Sequence, residues 1–431
     1  MSVFSNILKA NFTPWDVYML KIVYPTCCGL DVHKSFIFAC IASTDEKGIT
    51  SYKSHRFSTF TKGLRELADW LKANSCSDVC MESTGKYWIP VYNILEQTCK
   101  IVLAHPKYVK AIRGKKTDKK DAKWIADIFK HDLVAGSFIP PLDIRQLRDL
   151  IRYRTKLTNF NTGEKNRAQN CLTVSNIQLA NVVSDVFGKS ASDIIEHLLE
   201  HPNDKDFDFR PLLQKSLKQK AEDIGLAIDG EITPEQAEKT KIILSHMGSI
   251  ELCKSNLDSV ILGLAEKYIP QIDIVSSAPG IKNPLSAIAI ISEIGVDMSV
   301  FMTAKHLCSW AGLTPQNNES AGKKKSVRIS RAGAYLKPLL VQIANAVIKS
   351  DKHPEIKNRY LSIKKRRGHK RAIIAIARML LTAIYQMIKK NEPYNADLYK
   401  KSDTVPQNRD VSVEQAVFIL QRQGYTISKS T

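Results

Sequence analysis

The sequence contains no CxxC pair, no His/Cys cluster of zinc-ligand spacing, no internal repeat and no low-complexity tract. The first two absences exclude a zinc finger or ribbon. The last two exclude a solenoid array and a long compositionally biased arm. No apolar run approaches the roughly 20 residues that a membrane span requires, so no membrane partner is expected. Nine cysteines are scattered, an odd number, with Cys27-Cys28 as an adjacent pair. With no secretory leader ahead of them they read as reduced cytosolic thiols. Acidic residues are in deficit: 43 Asp+Glu stand against 63 Lys+Arg, a formal net charge of +20. A surplus of that size favours partners rich in phosphate, because each phosphate that is neutralised releases counterions.

The 431 residues are 44% hydrophobic and 25% charged, which suits two or three folded units, each with its own core. Residues 1–20 read as an N-terminal extension, since 1–18 match nothing that follows. Residues 21–140 alternate between strand and helix signals. Lys21–Ala42 reads as strand, tight turn, strand, with further strands at Thr50–Phe57, Asp78–Met81 and Lys100–Ala104. Helical spacing covers Thr61–Asn74, with Leu64, Leu67, Trp70 and Leu71 on one face, then Trp88–Gln97 and residues 120–131. This pattern predicts an α/β sheet of mixed direction. Residues 141–270 turn helical, opening with a basic run of Arg145, Arg148, Arg152, Arg154 and Lys156. An inserted, more acidic segment lies near 176–240, and a long helix resumes at Pro234 with an expected break at Gly248. A second basic unit spans 271–395, and 396–431 form a polar tail.

Three short motifs carry acids. Asp31 ends a strand in GLDVHK, and Glu82 ends another in CMESTG. Asp118 and Asp121, in KTDKKD, open a helix, where i, i+3 spacing puts both on one face near the positive end of the helix dipole. Taken singly, each has an ordinary explanation. Asp31 suits an Asx-turn, Asp118 an N-cap, Asp121 an N3 acid and Glu82 a loop. Taken together, they place lone acids after apolar β-runs and amid basic residues, which capping does not explain. Four carboxylates at the ends of one sheet are what a Mg²⁺ site for phosphodiester displacement requires, with Mn²⁺ as a substitute ion.

GLDVHK, MESTGKYWIPVYNIL and KTDKKDAKWIADIF resemble the DEDD transposases of the insertion sequence 110 family. SSAPGIKNPLSAIAIISEIG and HLCSWAGLTPQNNESAGKKKSVRISRAGAYLKPLLVQIANAV resemble the same family further along the chain. The likeness covers roughly residues 23–175 and 240–395. It implies a RuvC-like (ribonuclease H-like) N-terminal domain, a helical coiled-coil middle and a mainly helical C-terminal transposase domain. By the same resemblance, Asp31, Glu82, Asp118 and Asp121 are catalytic metal ligands, and Ser320, in GLTPQNNESAG, is the catalytic serine. It further implies donor and target DNA as substrates and a structured non-coding guide RNA, or bridge RNA. A homodimer or homotetramer would share composite sites, in the bacterial cytosol and nucleoid. The segment at 176–240 and the extension before residue 19 depart from the family pattern.

A serine hydroxyl is a weak nucleophile until its proton is removed or the developing charge is stabilised. Lys323, Lys324, Lys325, Arg328 and Arg331 are the local cations for the second task. By composition alone Ser326 and Ser330 rival Ser320, and all three also read as loop or cap serines. The segment from Ser277 to Gly295 has the Gly turn of a helix-hairpin-helix, or of a plain helical turn; Lys282-Asn283 stands where a second glycine region is usual. Lys115, Lys116 and Lys119 beside the acid pair, and Arg366 and Arg367 within a run from Lys364 to Arg371, are read as nucleic-acid contacts. Two other functions fit the residues: a RuvC-like structure-selective nuclease in which water attacks, and a domesticated nucleic-acid-binding protein.

Overall fold

A computed structural model describes residues 20–82, 85–109, 117–202, 204, 206–315, 318–320, 323–326, 328–399, 417 and 420–422. The chain divides into two compact units, Met1–Gln146 and Leu147–Thr431.

The first unit is built on one five-stranded sheet. Its strands are β1 (Thr26–Val32), β2 (Phe36–Thr44), β3 (Thr50–Ser58), β4 (Asp78–Glu82) and β5 (Lys100–Ala104), in the order β3-β2-β1-β4-β5. β1, β2 and β3 pair antiparallel, whereas β4 runs parallel to β1 and β5 parallel to β4. The mixed direction expected from the sequence is therefore present. Side chains alternate between faces along each strand. Leu30, Val32, Ile37, Ala39, Val79, Met81 and Leu103 form one face. Against it pack α1 (Thr61–Ala73), through Leu64, Leu67 and Leu71, and α2 (Trp88–Leu95). Cys27, Ala42, Cys80 and Ala104 form the opposite face, covered by Ile125, Ala126 and Phe129 of α4 (Asp118–Lys130). A short helix, α3 (Pro106–Val109), precedes it and accepts a bond from the Trp124 indole at the Val109 carbonyl (3.0 Å).

Burial pushes the Cys27, Cys76 and Cys80 thiols up to about 12, from an ordinary value of 9.0. A raised folded value favours folding below the unfolded value, and that contribution is lost as pH rises through the folded one. The melting temperature of this unit should therefore fall as pH climbs from about 9 toward 12. A thiol reagent at about pH 8 should label exposed Cys253 first and these three only on unfolding.

Among its described residues the second unit is helical apart from one hairpin. Leu142–Val174 form a single 33-residue helix, α5, and Pro234–Ala265 a single 32-residue helix, α8. The expected break at Gly248 is absent. A solvent-facing glycine costs a helix only about 1 kcal/mol, and α8 runs on through it. Arg154 pairs with Asp258, Asn161 with Glu251 (3.2 Å) and His246 with Glu164 (3.2 Å), so the two helices run antiparallel. The segment between them contains α6 (Lys189–Glu200) and α7 (Ala221–Ile228). Its apolar cluster, including Leu179, Ile194, Leu198 and Ile224, is closed by Leu172 of α5 and Ala237 of α8. The segment between the two long helices therefore packs onto them through one shared cluster.

Downstream come α9 (Ile269–Ser276), α10 (Pro284–Ile294), α11 (Ala304–Trp310), α12 (Leu336–Lys349), α13 (Pro354–Arg367) and α14 (His369–Lys390). Asn283 caps α10 by accepting from the Leu285 N–H (2.9 Å), which gives this residue a structural task in the turn. α14 is long and apolar enough to cross a membrane by length and composition, more than its sequence suggested. Ile376, Leu380, Leu381, Ile384 and Tyr385 are nevertheless buried within this unit, as in a core helix.

The basic run at the start of α5 is largely consumed internally. Arg145 grips Glu96 with two bonds (2.6 and 3.1 Å). Arg148 donates to the carbonyls of Ser292 and Glu293 (both 2.8 Å), near the C-terminal end of α10, where a cation also suits the helix dipole. Arg152 meets the Glu293 carboxylate at 2.7 and 2.9 Å, and Glu293 is only 6% exposed. Replacing Arg152 by Ala should leave a buried carboxylate without its main partner. The expected loss is about 2–4 kcal/mol, toward the lower end because the guanidinium is partly solvated. Denaturant unfolding checks this, and Arg152→Met with Glu293→Leu together should cost less than Arg152→Ala alone.

Candidate metal centre and serine hairpin

Parallel pairing of β1 with β4 sets Leu30 opposite Met81. The next residues along, Asp31 one short of the end of β1 and Glu82 at the end of β4, therefore lie at one level on the face that α4 covers. α4 reaches that level because of Gly29. A Cβ at this position would lie 2.3 Å from the Ala122 carbonyl oxygen and 2.4 Å from the Ala126 nitrogen. The helix backbone thus lies directly on β1, with Asp118 and Asp121 in its first turn beside Asp31.

Thr117, not Asp118, is the N-cap of α4; its hydroxyl accepts from the Lys120 N–H at 3.4 Å. The sequence offered Asp118 as N-cap and Asp121 as N3. The threonine takes the cap, so neither acid is needed there. His33 then completes a group that the sequence did not single out. Its Nε2 lies 3.1 Å from Asp31 Oδ2 and 3.5 Å from Asp118 Oδ1. One ligand atom from each of Asp31, His33 and Asp118 falls within 4.8 Å of the others. The signal was present in GLDVHK: a histidine two residues beyond a strand-end aspartate shares its face.

Burial is the main influence raising the Asp31 carboxyl above its ordinary value. The adjacent His33 opposes it, and the charges of Asp118 and Asp121 push it up again. Asp121 is thereby part of the same electrostatic neighbourhood, though outside the tight group. Glu82 is half-buried and also outside it. Two carboxylates and an imidazole, crowded at the carboxyl ends of parallel strands, are a donor set that fits a divalent cation. Lys119 is exposed beside the acids, and Lys115 and Lys116 lie outside the described residues.

In the second unit, Ser320 ends a strand rather than lying in a loop. β6 (Asn318–Ser320) and β7 (Lys323–Ser326) form an antiparallel hairpin in which Ser320 pairs with Lys323. Ladder pairing across a two-residue connection explains the difference from the loop-like reading. Its base is tied down: Pro315 bridges Ile329, and Lys337 Nζ donates to the carbonyls of Ser330 (2.7 Å) and Ala332 (2.8 Å). Gly333, with φ at 68°, sits where a Cβ would be 2.2 Å from the Ala311 carbonyl oxygen. The side chains of Ser320 and of Lys323, Lys324 and Lys325 lie outside the described residues. Arg328 and Arg331 beyond the hairpin are exposed, as are Arg366 and Arg367 at the end of α13.

A mixed α/β sheet bearing an acidic cluster, followed by a basic helical unit, is the architecture of an enzyme acting on nucleic acid. A family model described as Transposase, of the DEDD IS110 type, matches residues 28–177, and Transposase IS116/IS110/IS902 family matches residues 272–361. The chain belongs to the IS110 family of transposases, and is a DNA recombinase. It is similar to the pilin gene-inverting protein of Moraxella bovis, 23% identical over 390 residues that cover 87% of this chain and 99% of the relative. The pilin gene-inverting protein of Moraxella lacunata is equally similar, with the same coverage.

Proposed function

We propose that the chain cuts and rejoins DNA strands at a divalent-cation centre formed by Asp31, Glu82, Asp118 and Asp121, with Ser320 as the nucleophile. The observation that carries this reading is the convergence of Asp31 and Asp118 on the α4 face of the sheet. The strand order β3-β2-β1-β4-β5, with acids at the ends of β1 and β4, supports a ribonuclease H-like domain. A bound Mg²⁺ or Mn²⁺ would supply charge stabilisation at the scissile phosphate. Asp31 holds its carboxylate half-buried and fixed by the strand, and Asp118 approaches it from the helix. Ser320 Oγ attacks phosphorus and gives up its proton, and the bond to the displaced DNA oxygen breaks as that oxygen takes up a proton to become a hydroxyl; the phosphoserine-linked strand can later be released by the hydroxyl of a second DNA end, which restores the serine hydroxyl. The composite-site reading, with acids and serine from different subunits of a dimer or tetramer, accommodates their location in separate units.

The exposed cations from Lys364 to Arg371 suit phosphate contacts with DNA or with a guide RNA. Lys370 and Arg371 stand in the first turn of α14, at the positive end of its dipole, where a bound anion would offset an unfavourable placement. A structured RNA partner fits the family and the basic surplus. Retention of an element-encoded transcript on the purified protein, with loss of recombination when that transcript is omitted, is the expected result.

The serine is tested by denaturing quench. Intact protein, incubated with the DNA flanking its gene and a divalent cation, should yield a covalent protein–DNA adduct. Ser320→Ala should abolish the adduct and reduce recombination by about a thousandfold or more. Hydrolysed product without an adduct would instead favour the water-dependent nuclease.

A further inference from the structure

We propose that His33 is a nitrogen ligand of the cation held by Asp31 and Asp118, and that it biases the centre toward first-row transition ions over Mg²⁺. This rests on the acidic-site reading above and extends it to ion selectivity. In an octahedral shell with bonds of about 2.1–2.2 Å, neighbouring ligand atoms sit about 3 Å apart. His33 Nε2 stands 3.1 Å from Asp31 Oδ2 and 3.5 Å from Asp118 Oδ1, close to that edge length. All three ligand atoms lie within 4.8 Å of one another, so one ion can reach them together.

The imidazole is also held in place. The His33 backbone N–H donates to the Phe36 carbonyl (3.0 Å), closing the turn between β1 and β2 from which the ring projects. Its ring packs on Phe36 at 4.6 Å, and the Arg56 guanidinium lies 4.0 Å from the same Phe36 ring. The nitrogen facing both carboxylates can donate to them or, with the ring proton on Nδ1, offer its lone pair to an ion. Exchanging one arrangement for the other moves a proton between ring nitrogens and needs no co-reactant. Oxygen-only shells suit Mg²⁺, which keeps its waters, whereas an imidazole adds affinity for ions of the first transition row. A His33 that served only as a hydrogen-bonding spacer would confer no such preference.

The experiment uses the full chain, with Mn²⁺ and Mg²⁺ titrated by calorimetry and the Mn²⁺ form examined for ¹⁴N electron spin-echo modulation. The wild type should bind Mn²⁺ at least about tenfold more tightly than Mg²⁺ and show imidazole nitrogen modulation. His33→Ala should lose the modulation and weaken Mn²⁺ binding about 10- to 100-fold, with Mg²⁺ changed by less than about threefold. His33→Gln, checked by circular dichroism, provides a second variant. Absence of the nitrogen signal in wild type overturns the proposal whatever the variants do. Asp31→Asn separates the two readings: if both ions still bind, the acidic site itself is wrong. If Asp31→Asn abolishes binding while His33→Ala leaves the Mn²⁺/Mg²⁺ ratio intact, only the role of His33 falls.

Discussion

Asp31→Asn should lower strand cleavage and joining by about a thousandfold or more, while the melting temperature of the protein stays level or rises. The two halves of that result have one cause. Asp31 lies at the end of a central strand, with its carboxyl raised mainly by burial and further by Asp118 and Asp121. A raised folded value means that the protonated acid favours folding, and that this contribution disappears as pH rises through the folded value. The ionised form is thus the one that its surroundings disfavour. Asparagine keeps the shape and removes the charge, so a cation loses a ligand while the sheet loses a repulsion. A recombination assay and a thermal melt on the same preparation read both halves. A variant with unaltered activity would remove Asp31 from the site.

The second large effect is expected at a residue with no functional group. Gly29→Ala would drive a methyl into the backbone of α4 at Ala122 and Ala126, with approaches of 2.3 and 2.4 Å. Backbone atoms cannot swing aside as a flexible side chain can, so the helix must lift from β1. Overpacking of this kind costs about 1–3 kcal/mol, and a displacement of about 1 Å at a reacting centre costs about a hundredfold in rate. Gly29→Ala should therefore lower the melting temperature by about 5 °C and recombination by about two orders of magnitude. Gly29→Val should do more of both. The check is Mn²⁺ affinity, which should fall with activity because Asp118 and Asp121 move away with α4. Wild-type affinity in a folded Gly29→Ala protein would show that the contact does not set the site.

Much of the first unit was legible because its signals are local. β-branched and aromatic runs marked the strands, and Leu64, Leu67 and Leu71 marked the buried face of α1. The acids stood out as charges at the ends of apolar runs. What the sequence did not disclose depends on partners remote along the chain. Asp118 looked like a cap because the competing hydroxyl of Thr117 is equally suited to the position. His33 drew no notice, since only the turn closed by Phe36 aims its ring at Asp118. Gly248 suggested a break because its cost was visible locally, while the pairing of α5 with α8 on either side was not. The stretch around Ser320 read as a loop because three- and four-residue strands are too short to show a period.

The arginines at the start of α5 alter where the surplus charge of the chain resides. Arg145, Arg152 and Arg154 are each matched by a carboxylate, and an ion pair of that kind exchanges no counterions with a polyanion. The excess of positive charge must then be borne elsewhere, and six exposed cations fall within the eight residues from Lys364 to Arg371. A protein of the same net charge spread evenly would hold DNA diffusely and slide along it in any orientation. On the proposed nucleic-acid reading, a surplus gathered where two helices meet at Gly368 would orient the chain on the phosphate backbone before any base is read.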